Sequence, residues 1–305
     1  MVQMRVIFLG TSSAVPTINR GLFSIALVRG PDLLLFDCGE GTQRQMLGTS
    51  IGFGKDTSIF VTHMHTDHLN GLFGLLQTMS LNNREKAVRI YGPEGIEKYV
   101  RQGLDILRVD LSFELEVHTI AEGVVLERPD YFVKASRAEH SVTSYAYLIE
   151  ERPRPGLFNP KKATALHIPK GELWSTLQMG ESITIKKKKF NPSDVMGHPR
   201  PGRKVCISGD TMPSRNLIDF FRGADVLIHD STYSSQHKDK ARENKHSTAH
   251  DAAKVAKDAN VELLVLNHFS ARYNDVTPLL KEAMNVHHNV KAAADFDVLE
   301  IDYRE

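Results

Sequence analysis

One six-residue segment constrains this chain more than any other: His63-Met64-His65-Thr66-Asp67-His68. It sits between an apolar run at 58–62 and an apolar helical stretch at 68–81. A purely structural role would require three imidazoles and a carboxylate to be satisfied inside one buried turn, which is costly. Metal ligation explains the segment better. Residues i and i+2 of an extended chain point the same way, so His63 and His65 can reach one metal. The turn into the helix redirects the chain, so Asp67 and His68 can reach a second.

The surroundings alternate in type. Short apolar runs at 5–9, 23–28, 33–36, 58–62, 87–91, 145–150, 204–208, 225–229, 263–267 and 297–301 are bounded by Gly, Pro, Asn and Asp, and read as strands. Helical stretches intervene at 41–48, 68–81, 93–107, 214–222, 247–258 and 275–287. In the last, Thr277-Pro278 reads as an N-cap followed by proline at the first helical position. This alternation predicts α/β layers with helices outside and sheets inside. At 305 residues there is room for one large domain or two, and 41% apolar with 25% charged residues is ordinary for a soluble protein.

No apolar run approaches the ~18 residues of a transmembrane helix. The N-terminal run ends in a turn at Gly10 and has no cleavage-site pattern, so it reads as a strand and not a signal peptide. Cys38 and Cys206 each lie beside a core-like strand and read as small buried hydrophobes. Nothing demands an oxidising compartment, so a cytoplasmic location is expected.

The interval 152–204 breaks the pattern. It holds 12 Lys/Arg against 3 Asp/Glu, 7 of the 13 prolines, and the run Lys186-Lys187-Lys188-Lys189. The whole chain carries only +1, so the remainder is acidic. Such asymmetry suggests a local surface for a polyanion. Leu166, Ile168, Leu173, Trp174 and Leu177 give the interval a small apolar foot, so it reads as an extruded, flexible arm.

The segment from His63 to His68 resembles the signature of the metallo-β-lactamase superfamily, His-x-His-x-Asp-His. Later single residues match the remaining ligands: His140 in Ala138-Glu139-His140-Ser141, Asp210 in Ser208-Gly209-Asp210-Thr211, and His268 in Asn267-His268-Phe269. The resemblance implies an α/β (α+β) fold, a four-layer αββα metallo-β-lactamase sandwich, here with an extruded basic arm. It implies a first metal held by His63, His65, His140 and Asp210, and a second by Asp67, His68, Asp210 and His268. Such borderline nitrogen and oxygen donors suit Zn²⁺, two ions per subunit. Two divalent ions outweigh two carboxylates and one hydroxide, so the centre stays positive and suits an anionic substrate such as a phosphodiester.

Over almost its whole length the chain resembles the ribonuclease Z (tRNase Z) family in its short form. The marks are the segments 9–17 and 35–43, the basic arm, Lys245-His246-Ser247-Thr248, and His268-Phe269-Ser270-Ala271-Arg272-Tyr273. The resemblance implies a zinc-dependent endoribonuclease that removes 3′ trailers from precursor tRNA, acting as a homodimer. Asp67 would accept the proton of the attacking water. His246 would protonate the leaving 3′ oxygen, with Asp230 orienting it. Ser270 and Arg272 would grip a phosphate. Three departures stand out: Asp230 replaces the family's glutamate, the 16–20 loop keeps Pro16 and Arg20 of a longer family motif, and Gly171-Glu172 replaces a Gly-Pro pair in the arm. The motif also fits a small-molecule phosphodiesterase or an arylsulfatase, with the arm as a dimerisation element. A non-catalytic RNA-binding protein with structural metals would carry the same ligands.

Overall fold

A computed structural model describes residues 2–304. Six strands come first: β1 (Met4–Gly10), β2 (Ser24–Arg29), β3 (Asp32–Phe36), β4 (Asp56–Phe60), β5 (Val88–Gly92) and β6 (Leu115–Thr119). The second group is β7 (Gly123–Glu127), β8 (Tyr131–Ala138), β9 (Ser144–Glu151), the small hairpin β10 (Ile183–Ile185) and β11 (Lys188–Phe190), then β12 (Lys204–Ile207), β13 (Val226–Asp230), β14 (Leu263–Asn267) and β15 (Val290–Ala292). A last strand, β16 (Val298–Glu300), returns to the first group. One seven-stranded sheet runs β16-β1-β2-β3-β4-β5-β6, and the other runs β15-β14-β13-β12-β9-β8-β7.

The helices are α1 (Thr42–Leu47), α2 (Thr66–Leu69), α3 (Leu72–Leu81), α4 (Ile96–Leu107), α5 (Pro160–Ala165), α6 (Glu172–Gln178), α7 (Arg215–Phe221), α8 (Lys238–Glu243), α9 (Ala249–Asp258) and α10 (Thr277–Met284). Alternation along the strands sends neighbouring residues to opposite faces. Val6, Phe8, Phe36 and Phe60 meet Tyr147, Val205, Ile228 and Val265 between the sheets. Ile7, Leu9, Leu35 and Ile59 turn outward to Leu72, Leu76 and Val100 of α3 and α4. On the other side Cys206, Leu227 and Leu264 pack on Leu217, Phe221, Val255 and Leu279 of α7, α9 and α10. The result is the four-layer αββα sandwich. Both cysteines are buried, and neither is in a disulfide.

Three expectations need correction. The stretch 68–81 is two helices, because Gly71 presses on the turn after β3: a Cβ there would lie 2.1 Å from the Gly39 carbonyl oxygen. Thr277 is the first helical residue of α10 and not its cap; Val276 holds the cap position, and the Asp275 carboxylate accepts from the Thr277 amide at 2.9 Å. Strands β6 to β8 were not expected, since several of their positions stay exposed and interrupt the apolar pattern.

Glu150–Arg203 and the C-terminal residues from Tyr303 form a separate compact unit. Its own small core holds Ala163, Ile168, Leu177, Ile183, Phe190 and Val195, with Leu166, Leu173 and Trp174 packed on them. Lys186 and Lys187 form the tip of the hairpin, both at positive φ (47° and 66°).

Candidate metal centre and active site

Parallel strands β3 and β4 end level with each other, Phe36 opposite Phe60. His63 and His65 follow β4 at that edge, and Asp67 and His68 lie in α2. His140 follows β8, Asp210 follows β12, Asp230 ends β13, and His268 follows β14. All seven expected ligand residues converge. The donor atoms of His63, His65 and His140 lie within 4.8 Å of one another, as do those of Asp67, His68 and His268. A third set, His63, His68 and Asp210, joins the first two. Asp210 lies centrally: its Oδ2 is 3.7 Å from His63 and 3.4 Å from His68, and its Oδ1 is 3.2 Å from His268. Gly209 (φ 59°) lets the chain turn here, where a Cβ would press on Thr62 at 3.0 Å.

The site's own atoms fit a metal. Nε2 of His68, Nε2 of His268 and Oδ1 of Asp210 are buried without a hydrogen-bond partner. Groups of this kind are normally satisfied, and an ion is one of the few things that satisfies them together. On the far side of four of the five rings an acceptor takes the Nδ1 proton and leaves Nε2 free to ligate, while His65 turns its Nδ1 inward, 2.9 Å from Nε2 of His63. For His68 it is Asp37 Oδ2 at 2.7 Å, and for His140 the Lys245 carbonyl at 3.0 Å. For His63 it is the Thr62 hydroxyl at 2.9 Å, and for His268 the Thr232 hydroxyl at 2.9 Å. Thr62 passes its own proton to Asp37 (2.8 Å), and Thr232 passes its to Asp230 (2.6 Å).

His246 stands beside this cage without belonging to the expected ligands. Its Nδ1 donates to Asp230 Oδ2 at 2.8 Å, so the shorter carboxylate reaches it. Its Nε2 lies 3.9 Å from Asp210. Burial disfavours charge on His246, but Asp230 and Asp210 outweigh it and push its pKa up to about 9. Asp230 is fully buried, which opposes its charge, but His246 and His268 outweigh that and hold its pKa below the ordinary carboxylate range; the amides of Thr211 and Thr232 also donate to it. A cleft of about 380 Å³ opens over the centre, lined by His65, Asp67, His140, Asp210, His246 and His268, with Ser13, Ala14, Ser141, Tyr233, Glu243 and Asn244 around them.

Ser270 and Arg272 do not line that cleft. Arg272 is exposed, donates to the Ser270 hydroxyl at 3.0 Å, and lies 4.9 Å over the ring of Tyr233, which does line it. Arg20 is committed to the body, donating to Thr11 and to the Ala293 carbonyl (2.9 Å) and stacking on Phe269. Sequence reasoning passed over Asp37, Thr62 and Thr232. Asp37 lies inside a segment singled out above, and an acidic residue ending an otherwise apolar strand beside the ligand-bearing one was the available signal.

Residues 4–153, a little under half of the chain, match the family model described as anti-Pycsar protein Apyc1. Over its full length the chain is similar to ribonuclease Z of Nitrosopumilus maritimus, 46% identical over 298 residues, 98% of this chain and 100% of that protein. The chain belongs to the ribonuclease Z family. It is 39% identical over 308 residues to ribonuclease Z of Myxococcus xanthus, with 100% of both chains covered. Among solved structures, human tRNase Z, short form, matches with a TM-score of 0.73 at 29% identity, covering 98% of this chain and 99% of that one. The metallo-β-lactamase fold protein YhfI from Bacillus subtilis reaches 0.72 at 19% identity over 99% and 100% of the two chains, a likeness of fold alone.

Proposed function

We propose that this protein is a zinc-dependent endoribonuclease that removes 3′ trailers from precursor tRNA, leaving a 3′-hydroxyl on the tRNA and a 5′-phosphate on the trailer. The observation that carries the reading is His246, held by Asp230 at 2.8 Å and lining the cleft beside the seven expected ligand residues, in a chain of the ribonuclease Z family.

Five imidazoles and two carboxylates suit zinc. His63, His65, His140 and Asp210 would hold one ion, and Asp67, His68, Asp210 and His268 the other. When bound, a pair of divalent ions lowers the pKa of the attacking water and offsets phosphate charge. Asp67 takes the water's proton; burial opposes its charge, but His68 and His268 outweigh that and hold it below its ordinary range. His246 gives its Nε2 proton to the 3′ oxygen as the P–O3′ bond breaks. Asp230 holds the His246 ring in the tautomer and direction this needs. Arg272, braced by Ser270 and Tyr233, binds a phosphate flanking the scissile bond.

The flexible arm at 152–204, inserted in a single catalytic domain, holds the tRNA backbone by shape and charge. In a homodimer, one subunit's arm serves the other's site. The protein works in the cytoplasm; no helix among the described residues is long and apolar enough to cross a membrane.

The test is cleavage of a 3′-extended precursor tRNA with product ends mapped. Asp67→Ala should lower the rate by about 10²–10⁴-fold. Replacing 157–196 with a short Gly-Ser linker should abolish tRNA cleavage and spare bis(p-nitrophenyl) phosphate. Hydrolysis of the small diester with no cleavage of precursor tRNA under any divalent metal would overturn the reading in favour of a small-molecule phosphodiesterase.

A further inference from the structure

The chain enters the small unit at Glu150, leaves it at Arg203, and comes back to it at Tyr303. The two connecting segments of this neck cannot form a continuous ladder. Pro153 and Pro155 flank Arg154, and Pro199 and Pro201 flank Arg200; each proline lacks an amide donor. What remains is sparse. The Glu151 amide donates to the Arg203 carbonyl at 3.0 Å, Arg154 and Arg200 exchange backbone hydrogen bonds at 2.8 and 2.9 Å, and Phe158 bridges Met196. Between these bridges Gly156 lies so close to Gly197 that a Cβ would stand 2.0 Å from its carbonyl oxygen.

Side chains reinforce this interrupted pairing. Glu151 and Arg203 form a buried bidentate pair, Nη2 to Oε1 at 2.7 Å and Nε to Oε2 at 2.9 Å, with side chains only 2% and 3% exposed. The Tyr303 ring lies against two guanidinium groups, 3.5 Å from Arg154 and 4.0 Å from Arg203. Its hydroxyl accepts from Arg203 Nη2 at 3.1 Å. Arg154 Nε is buried with no hydrogen-bond partner, so ring contact is a main hold on that cation. One aromatic ring from the C-terminus thus ties the incoming segment, through Arg154, to the outgoing one, through Arg203.

We propose that Tyr303 is a positioning residue: a latch that stiffens the neck of the arm, so that the arm's lysines meet RNA already ordered. A neck without it must be ordered at the moment of binding, and that cost falls on substrate affinity and not on the chemical step. The proposal rests on the arm being a tRNA-binding element.

The experiment compares the full-length wild type with Tyr303→Ala and Tyr303→Phe. In Tyr303→Ala, amide hydrogen exchange at 150–156 and 198–203 should rise. KM for precursor tRNA should increase about 5- to 30-fold. The kcat, and hydrolysis of bis(p-nitrophenyl) phosphate, should stay at the wild-type level. Tyr303→Phe keeps the ring and should restore both exchange protection and KM. Unchanged exchange in Tyr303→Ala overturns the latch. Faster exchange with an unchanged KM overturns its role in RNA binding, and so does failure of the Phe variant to rescue. A wild type that does not cut precursor tRNA would sink the enzymatic reading instead, while the exchange result would still decide the latch.

Discussion

Asp37 and Asp230 are buried carboxylates on opposite sheets, and each does the same two things. Each accepts directly from one imidazole, His68 or His246, and reaches a second, His63 or His268, through a threonine hydroxyl. The outcomes differ. Nε2 of His68 is buried beside Asp210, Asp67 and His268 with no hydrogen-bond partner, in a group whose donor atoms could hold an ion. His246 is 13% exposed and lines the open cleft. In both halves the carboxylate fixes tautomer and direction; on the proposed function, the surroundings of the far nitrogen would decide whether the ring binds a metal or delivers a proton.

Removing Asp37 should give the largest effect on that comparison. Asp37→Ala strips the partner from Nδ1 of His68 and from the Thr62 hydroxyl at once. Loss of a group that orients a ligand typically weakens metal binding about 10- to 100-fold, and here two ligands lose support together. Metal content after dialysis should fall, and hydrolysis of precursor tRNA and bis(p-nitrophenyl) phosphate should fall in parallel. An Asp37→Ala protein that keeps its metal would break the equivalence.

Asp230→Asn should act on one substrate only. The amide still accepts from Thr232, but the anion that holds the charge of His246 is gone. An alkoxide leaving group needs a proton, whereas p-nitrophenolate leaves without one. Precursor-tRNA cleavage should therefore fall by about 10²–10⁴-fold, with metal content and p-nitrophenyl diester hydrolysis near wild type. Equal losses on both substrates would mean that Asp230 serves the cage and not the acid.

The legible parts of this molecule were those with a local signature. Periodic apolar runs announced most strands of the two sheets, and the segment from His63 to His68 stood out by residue type, while His140, Asp210 and His268 were legible only through the family resemblance. What stayed hidden depends on contacts between distant segments. Asp37 meets His68 across 31 residues, and Thr232 meets His268 across 36. The split after α2 is caused by Gly39, far behind it in sequence. Strands β6 to β8 escaped because their exposed faces dilute the pattern. Tyr303 escaped because a lone aromatic near a terminus has no periodic context.

The threonines give the smallest and sharpest test. Thr62→Val and Thr232→Val each remove the hydroxyl that accepts from a ligand's Nδ1, while their carboxylates keep the direct bond to His68 or His246. Each should weaken metal binding by about tenfold, the low end for such partners, read by competition with a chromophoric chelator. Thr→Ser at either position should restore it. The two should then part company. Excess metal should return Thr62→Val to full activity on both substrates. Thr232→Val also takes a hydrogen bond from Asp230, the carboxylate that holds the acid, so with metal saturating it should keep a deficit on precursor tRNA that the p-nitrophenyl diester does not show. If both variants recover alike on both substrates, the two halves are equivalent supports, and the difference between His68 and His246 owes nothing to the threonine arms.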